Sequence, residues 1–152
     1  MKIFVSGIAG FLGSHLADAF IKDGHHVVGC DSLIGGELSN VPAEAEFYQY
    51  DCCYRNSMLK ITKGCDLVYH TAATAYEGLS VFSPHLITNN IVTGSVSLFS
   101  AAIENKVKRI VFCSSMARYG SIQPPFKETD TPKPIDPYGI AKLAAEKILI
   151  NI

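Results

Sequence analysis

The fold is decided by the first segment of the chain, residues 2–13, which reads KIFVSGIAGFLG. Its first five residues form a short apolar run, and glycines follow at positions 7, 10 and 13. Residues 11–23 then repeat apolar side chains at helical spacing, and Gly24 follows as a helix-terminating glycine. The segment therefore predicts a buried strand, a tight glycine turn and a helix.

The rest of the chain repeats this alternation. Further strands are predicted at residues 26–30, 46–50, 66–70 and 108–113, and helices at residues 54–63 and 84–106. A last helix begins at Asp136-Pro137, because Asp is a favoured N-cap and Pro suits the first helical position. Alternating strands and helices pair in parallel through right-handed crossovers. The sequence thus predicts one doubly wound α/β domain over residues 1–152.

Composition narrows the class of protein further. Of the 152 residues, 48% are hydrophobic and 18% are charged, and the formal net charge is −1. This balance excludes intrinsic disorder and argues against a module that binds nucleic acid by neutralising phosphates. The five cysteines are odd in number and lack a C-x-x-C pair, and the five histidines lack metal-ligand spacing. We therefore expect free thiols, no metal site, no membrane-spanning segment and a cytoplasmic location.

The three glycines have the spacing of a phosphate-binding turn. Gly7 suits the tight turn, Gly10 lets the backbone approach a pyrophosphate, and Gly13 allows close packing of helix on strand. The start of the helix adds unpaired N–H groups and a positive dipole end. For the glycines alone, a role in the turn and its packing is the simpler alternative.

Two carboxylates stand where predicted strands end. Asp31 lies 21 positions after Gly10, where a carboxylate binds both hydroxyls of an adenosine ribose and repels a 2′-phosphate. Together with the glycine turn it predicts a dinucleotide site and favours NAD over NADP. Asp51 ends the third strand, and the residues leave two roles open for it: contact with the adenine ring, or capping of the turn at Asn56-Ser57.

Residues 138–142, YGIAK, open the last helix and place Tyr138 and Lys142 on one face. A free tyrosine has a pKa of about 10 and is a poor base at neutral pH. A nearby ammonium and the positive end of a helix dipole both favour the phenolate. Ser114 and Ser115 end the fifth strand, where ligands bind in parallel sheets. Alone, such a tyrosine–lysine pair is usually a solvated helix face, but beside a glycine turn and Asp31 it indicates catalysis.

Taken together, these motifs resemble the extended short-chain dehydrogenase/reductase family, and more narrowly the NAD-dependent epimerases and dehydratases of nucleotide sugars. The resemblance covers nearly the whole chain. The residues that carry it are 6–13, 31–33, 51–52, 70–73, Asn90, 114–120, and Tyr138 with Lys142. It implies a Rossmann-type doubly wound parallel sheet that binds NAD.

The resemblance also implies a role for each site residue. Ser115, the serine four positions before the tyrosine of Tyr119-Gly120, would be catalytic, with Tyr138 as the base and Lys142 beside it. The cofactor would contact Gly7, Gly10, Phe11, Leu12, Gly13, Asp31, Ser32, Asp51, Cys52, Ala72, Ala73, Asn90, Ser114, Tyr138 and Lys142. Contact of Asp51 with adenine is thereby favoured over capping.

The chain departs from the family pattern at three places. The usual Asn-x-x-Gly-Thr is one residue longer, running from Asn90 to Ser95, and Asn89 competes with Asn90 for the role at the active-site helix. Arg118 stands where many members have a small or apolar residue, and we interpret it as a solvated loop charge. Met116-Ala117 replace the Asp-Glu pair of dehydratases, which favours an epimerase or a simple oxidoreductase.

We therefore expect an NAD-dependent epimerase of a nucleotide sugar, with a UDP-linked substrate and a keto-sugar intermediate. Two alternatives remain: an NAD(P)-dependent carbonyl reductase, and a non-catalytic nucleotide-binding or redox-sensing domain. The resemblance implies a homodimer through helices 84–106 and 136–150, although their apolar residues would also suit packing on their own sheet. It also implies that the C-terminal substrate domain, which follows the tyrosine helix, is absent, so that activity of the short chain is doubtful and residues 108–113 form an exposed sheet edge.

Overall fold

A computed structural model describes all of residues 1–152. Its strands are β1 (Lys2–Ser6), β2 (His26–Cys30), β3 (Glu46–Tyr48), β4 (Leu67–His70) and β5 (Arg109–Phe112). All four neighbouring pairs are parallel, and the strand order is β3-β2-β1-β4-β5. The predicted Rossmann-type doubly wound sheet is confirmed, with β5 at the edge that the sequence predicted.

Six helices connect the strands: α1 (Phe11–Lys22), α2 (Arg55–Ile61), α3 (Glu77–Phe82), α4 (Pro84–Thr88), α5 (Gly94–Glu104) and α6 (Pro137–Ile150). A π-turn at Asn89–Thr93 joins α4 and α5 into one continuous helix, Pro84–Glu104. Short 3-10 turns lie at Leu38–Asn40 and Met116–Arg118. The predicted helices are confirmed, whereas α3 and both 3-10 turns fall in segments that the sequence analysis left as loops.

The ends of two helices follow their predicted chemistry. Asp136 caps α6, since its carboxylate accepts a hydrogen bond of 2.8 Å from the backbone N–H of Gly139. Gly24 follows α1 with a φ of +78°, a left-handed conformation that favours glycine. Both devices are local, which is why the sequence alone located these ends.

The sheet buries both of its faces. Phe4, Val28 and Val68 pack on one face against helices α2 and α5, while Ile3, Val5 and Val27 pack on the other face with α1. A third cluster, formed by Ile87, Ile91, Tyr138 and Ala141, lies where α4 meets α6. This last cluster positions Tyr138, because it packs the start of α6 against α4.

Helix Pro84–Glu104 is long and apolar enough to cross a membrane, by length and composition only, contrary to the sequence expectation. Half of it is buried inside the fold, and Leu98, Phe99 and Ala101 are fully buried. The core helix of a sheet protein meets the same test, so this helix is weak evidence for a membrane. Its buried apolar residues pack against the sheet and α2 in its second half and against α6 in its first half.

Candidate functional site

A cavity of about 320 Å³ opens at the carboxyl ends of the parallel strands. The glycine loop before α1 forms its floor, and the segments after β2, β3 and β4 form its walls. It is lined by every predicted cofactor residue except Ser114, Tyr138 and Lys142: Gly7, Gly10, Phe11, Leu12, Gly13, Asp31, Ser32, Asp51, Cys52, Ala72, Ala73 and Asn90. The fold thus brings most of the predicted set to one place.

The glycine loop leaves no room for side chains. Gly7 has a φ of +72°, and a Cβ there would lie 2.8 Å from the backbone of Ala72. A Cβ on Gly13 would lie 2.1 Å from the carbonyl oxygen of Gly7, so α1 touches the loop directly. Phe11 and Leu12, the first residues of α1, line the cavity, and no side chain caps the helix. This cradle of backbone and a helix N-terminus suits a pyrophosphate.

Asp31 is fixed by the backbone on both sides of it. Its Oδ2 accepts a hydrogen bond of 3.1 Å from the N–H of Ala9, and its Oδ1 accepts one of 2.8 Å from the N–H of Leu33. A Cβ on Gly36 would come within 2.9 Å of Oδ2, so the loop after β2 closes tightly on the carboxylate. Each oxygen keeps a lone pair for a ribose hydroxyl. The arrangement fits NAD and would repel a 2′-phosphate.

Asp51 caps a turn and also faces the cavity. Its Oδ1 accepts a hydrogen bond of 2.8 Å from the N–H of Cys53, so it caps its own turn rather than the one at Asn56-Ser57. It also lines the cavity, next to the nearly buried Cys52.

All five cysteines are free, and the sulfurs of Cys52 and Cys30 lie 3.9 Å apart. The prediction of free thiols is confirmed.

The π-turn gives the two asparagines different surroundings. Asn90 lines the cavity and donates a hydrogen bond of 2.9 Å to the hydroxyl of Thr74. Asn89 points to Cys53 instead, with its Nδ2 3.6 Å from that sulfur. A π-turn is one residue wider than an α-turn, which accommodates the extra residue between Asn90 and Gly94.

A buried hydrogen-bonded chain lies beneath the cavity. The Nδ1 of His70 is 2.6 Å from the hydroxyl of Ser6, and its Nε2 is 2.9 Å from the hydroxyl of Ser95. Burial, together with the charge of Lys142, lowers the pKa of His70 to about 3. His70 is therefore neutral at physiological pH, and it ties β1 to helix α5 under the glycine loop.

Tyr138 stands at the junction with a second, more open cavity of about 550 Å³. That cavity is lined by Tyr138 and by residues 75–79, the start of α3. Ala75 and Tyr76 line both cavities, so the two meet at this point. Tyr138 thus lines a cavity that adjoins the first one through Ala75 and Tyr76.

Lys142 lies one turn along α6 from Tyr138 and is only 2% exposed. Its Nζ donates a hydrogen bond of 2.8 Å to the carbonyl oxygen of Cys113 and lies 4.9 Å from the ring centre of Phe112. Burial lowers the pKa of this ammonium to about 8. A buried cation of this kind would favour a nearby phenolate.

The two serines at the end of β5 have different surroundings. The Oγ of Ser115 accepts a hydrogen bond of 3.1 Å from the N–H of Ala117, which leaves its hydroxyl proton free to donate. The hydroxyl of Ser114 instead donates to Oε2 of Glu146 at 2.7 Å. Neither serine lines either cavity. The geometry therefore does not support the predicted contact between Ser114 and the cofactor, because this hydroxyl already bonds to α6.

Arg118 is not the solvated loop charge that we expected. Its NH1 lies 2.9 Å from Oε1 of Glu146, and the two side chains are only 20% and 17% exposed. The guanidinium also lies over the ring of Tyr119, 5.1 Å from its centre. The sequence-based interpretation is wrong because the partner carboxylate comes from α6, 28 residues further along the chain.

Several cavity residues were not predicted: Ile34, Gly35, Gly36, Tyr50, Thr71, Thr74, Ala75 and Tyr76. The adjacent glycines 35 and 36, so close after Asp31, were the available signal for a loop that approaches a ligand. The others follow strand ends without a distinctive pattern. These residues reach the cavity because the order of the strands in the sheet brings the strand ends together.

A parallel sheet of this order, with a glycine cradle at its carboxyl edge, defines the class of Rossmann-type dinucleotide-binding folds. Comparison with family models makes the assignment specific: the model of the NAD dependent epimerase/dehydratase family matches residues 3–152. The chain belongs to this family.

Individual relatives agree with that assignment. Over 98% of its length the chain is 39% identical to the UDP-glucose 4-epimerase of Lactobacillus helveticus, and it covers 46% of that protein. A UDP-glucose 4-epimerase of Thermotoga maritima, solved with UDP-glucose, superposes with a TM-score of 0.96 at 35% identity, covering 99% of this chain and 50% of that one. The enzyme of Brucella ovis in complex with NAD gives 0.93 at 34% identity, covering 99% and 47%. The chain thus spans about half the length of the relatives it matches.

Proposed function

We propose that this chain provides the NAD-binding and proton-transfer parts of a UDP-sugar 4-epimerase. The observation that supports the proposal is the meeting of the two cavities at Ala75 and Tyr76, since Gly7 and Asp31 line one cavity and Tyr138 lines the other. Support for a UDP-linked substrate comes from relatives named as UDP-glucose and UDP-arabinose 4-epimerases.

In this proposal the cradle binds NAD. The backbone of the glycine loop and the start of α1 receive the pyrophosphate, and Asp31 accepts hydrogen bonds from the adenosine ribose. Asp51 and Cys52 form the wall next to the adenine. Bound there, NAD would supply the hydride chemistry, as acceptor and then donor, for oxidation and re-reduction of the sugar carbon.

Three side chains of this protein then handle the proton and the developing carbonyl. Tyr138, as the phenolate, removes the proton from the sugar hydroxyl, and Lys142 and the N-terminus of α6 stabilise that phenolate. The hydroxyl of Ser115 donates a hydrogen bond to the oxygen of the forming ketone and stabilises it, while the proton stays on the serine. Positioned acid–base catalysis of this kind contributes about 10²–10⁴-fold.

We also propose a homodimer through residues 84–106 and 136–150. Leu143, Ala144, Ile148 and Leu149 are only partly buried within the chain, which leaves apolar surface on α6 for a second copy. Ala141 does not belong to this surface, because it is buried in its own core beside Ile87. The free cysteines support the predicted cytoplasmic location.

The test is calorimetric titration of the chain with NAD and NADP, followed by turnover assays on UDP-sugars with NAD present. We expect NAD to bind more tightly than NADP. Tyr138→Phe should abolish turnover and leave NAD affinity nearly unchanged, because the buried ring is retained and only the hydroxyl is lost. Tyr54→Phe, at an exposed tyrosine before α2, is the matched control.

Failure to bind NAD would overturn the proposal. Turnover that survives Tyr138→Phe would overturn the assigned base. NAD binding without any turnover would favour the non-catalytic alternative for this length of chain.

A further inference from the structure

Lys142 and Glu146 have the spacing of a helical ion pair but do not form one. Residues four apart on a helix are neighbours, and lysine and glutamate at this spacing ordinarily attract each other. Here Lys142 Nζ donates instead to the carbonyl of Cys113, and no ion pair joins it to Glu146. Something therefore holds the carboxylate away from the ammonium.

The holding groups are Arg118 and Ser114. Arg118 NH1 lies 2.9 Å from Oε1 of Glu146, and the hydroxyl of Ser114 donates to Oε2 at 2.7 Å. Both carboxylate oxygens are thus engaged by the segment that follows β5. Since Arg118 and Glu146 are mostly buried, the attraction between them is little weakened by solvent.

We propose that Arg118 is a positioning residue that keeps Glu146 from pairing with Lys142, so that the Lys142 ammonium remains available to the cofactor and to Tyr138. The inference rests on the proposed function, because it concerns the role given there to Lys142.

The physical reason is that Glu146 would have few other partners if Arg118 were removed. Without Arg118, Glu146 becomes a mostly buried carboxylate with only the Ser114 hydroxyl, and an uncompensated charge in such a place is strongly unfavourable. The adjacent Lys147 is exposed, whereas Lys142 is buried one helical turn away. Pairing with Lys142 would satisfy Glu146 and draw Nζ away from the site.

The test compares Arg118→Met with the double variant Arg118→Met/Glu146→Gln, each titrated with NAD in a calorimeter. Arg118→Met should weaken NAD binding about tenfold, the size of one lost hydrogen bond to a charged group. The double variant should return to within about twofold of the unmodified chain, because a neutral amide no longer competes for Lys142. Arg55→Met is the matched control, since Arg55 pairs with Glu104 on an exposed surface outside both cavities.

A purely structural role for Arg118 predicts a different pattern, in which the double variant binds NAD as poorly as Arg118→Met or worse. That result, or unchanged binding in Arg118→Met, would overturn the inference. If Arg118→Met does not fold, as judged by thermal denaturation, Glu146→Gln alone decides: it should bind NAD within about twofold of the unmodified chain, and a tenfold loss would contradict us. Absence of NAD binding in the unmodified chain would be a failure of the proposed function, and this inference would fall with it.

Discussion

The two ends of the candidate site are formed by different kinds of chemical group. The glycine cradle consists of backbone and very short side chains, and a Cβ on Gly13 would meet the oxygen of Gly7 at 2.1 Å. The proposed catalytic corner, at Tyr138, Lys142 and Ser115, depends on ionisable side chains held by burial and hydrogen bonds, such as Lys142 on the carbonyl of Cys113. The cradle is therefore vulnerable to added volume, and the corner to changes in charge.

This difference also separates local from distant interactions. Gly7 and Gly13 act on each other across six residues. In the corner, Cys113 and Lys142 are 29 residues apart, and Ser114 and Glu146 are 32 apart. A sequence motif can describe the first kind of contact, while the second exists only after β5 and α6 have packed together.

The largest effect is expected from added volume in the cradle. Gly13→Ala should lower the free energy of unfolding by about 3 kcal/mol, the upper part of the usual range for overpacking, and should remove measurable NAD binding, because α1 must move off the loop. Chemical denaturation and calorimetric titration measure the two effects. Gly78→Ala is the control for stability, since it lies in helix α3 with nothing within 4 Å of an added Cβ. Equal stability of the two variants would show that the loop can relax around an added Cβ, and that the close contact between Gly13 and Gly7 does not limit which residue fits there.

A smaller effect should follow from removing the charge at the edge of the cradle. Asp31→Asn should weaken NAD binding by about 10–100-fold, because the charged acceptor for the ribose is lost and one backbone N–H loses its partner. The ratio of the NADP dissociation constant to the NAD dissociation constant should fall at the same time, since the repulsion of a 2′-phosphate is removed. Titration with both nucleotides measures this.

The control for Asp31→Asn is Asp130→Asn, whose Oδ2 also accepts from a backbone N–H, that of Lys127, but in an exposed loop outside both cavities. If Asp31→Asn leaves both affinities unchanged, the ribose is not bound at Asp31.

The sequence predicted well where the determinants are local. All five strands, the glycine turn and the Asp136 cap follow from runs, spacings and turn chemistry within a few residues. The cofactor cavity also followed, because the carboxyl ends of parallel strands must meet at one edge. Asp31 and Ala72 therefore reached the same cavity although they are far apart in the chain.

The sequence predicted poorly the surroundings of residues whose partners lie far away in the chain. Arg118 looked solvated because nothing nearby in the chain indicates that Glu146 lies beneath it. The hydrogen bond from Ser114 to Glu146 was missed for the same reason. Helix α3 was missed because it has only six residues. Its three large apolar side chains, Leu79, Val81 and Phe82, are all exposed, so they form no buried face with helical spacing.

The smallest effect is expected from pH acting on the proposed catalytic corner. Burial lowers the pKa of Lys142 from its ordinary value of 10.5 to about 8, so the ammonium is present below pH 8 and is lost as the pH rises through 8. If the charged form is the one that holds the cofactor, NAD affinity should be flat below about pH 7. It should then fall by about twofold between pH 7 and 8, and by at most about tenfold by pH 9.

Calorimetric titrations from pH 6 to 9 measure this fall, and Lys142→Met supplies the control, with weaker binding that no longer depends on pH in this range. Buried thiols do not imitate the effect, because desolvation raises the pKa of Cys53 to about 12 and that of Cys113 above its ordinary value. A decline that persists in Lys142→Met would assign the titration to another group. A glycine-cradle variant that still binds weakly, such as Gly10→Ala, should keep the decline, since its defect is steric. The pH dependence therefore separates the charged corner from the backbone cradle within one binding measurement.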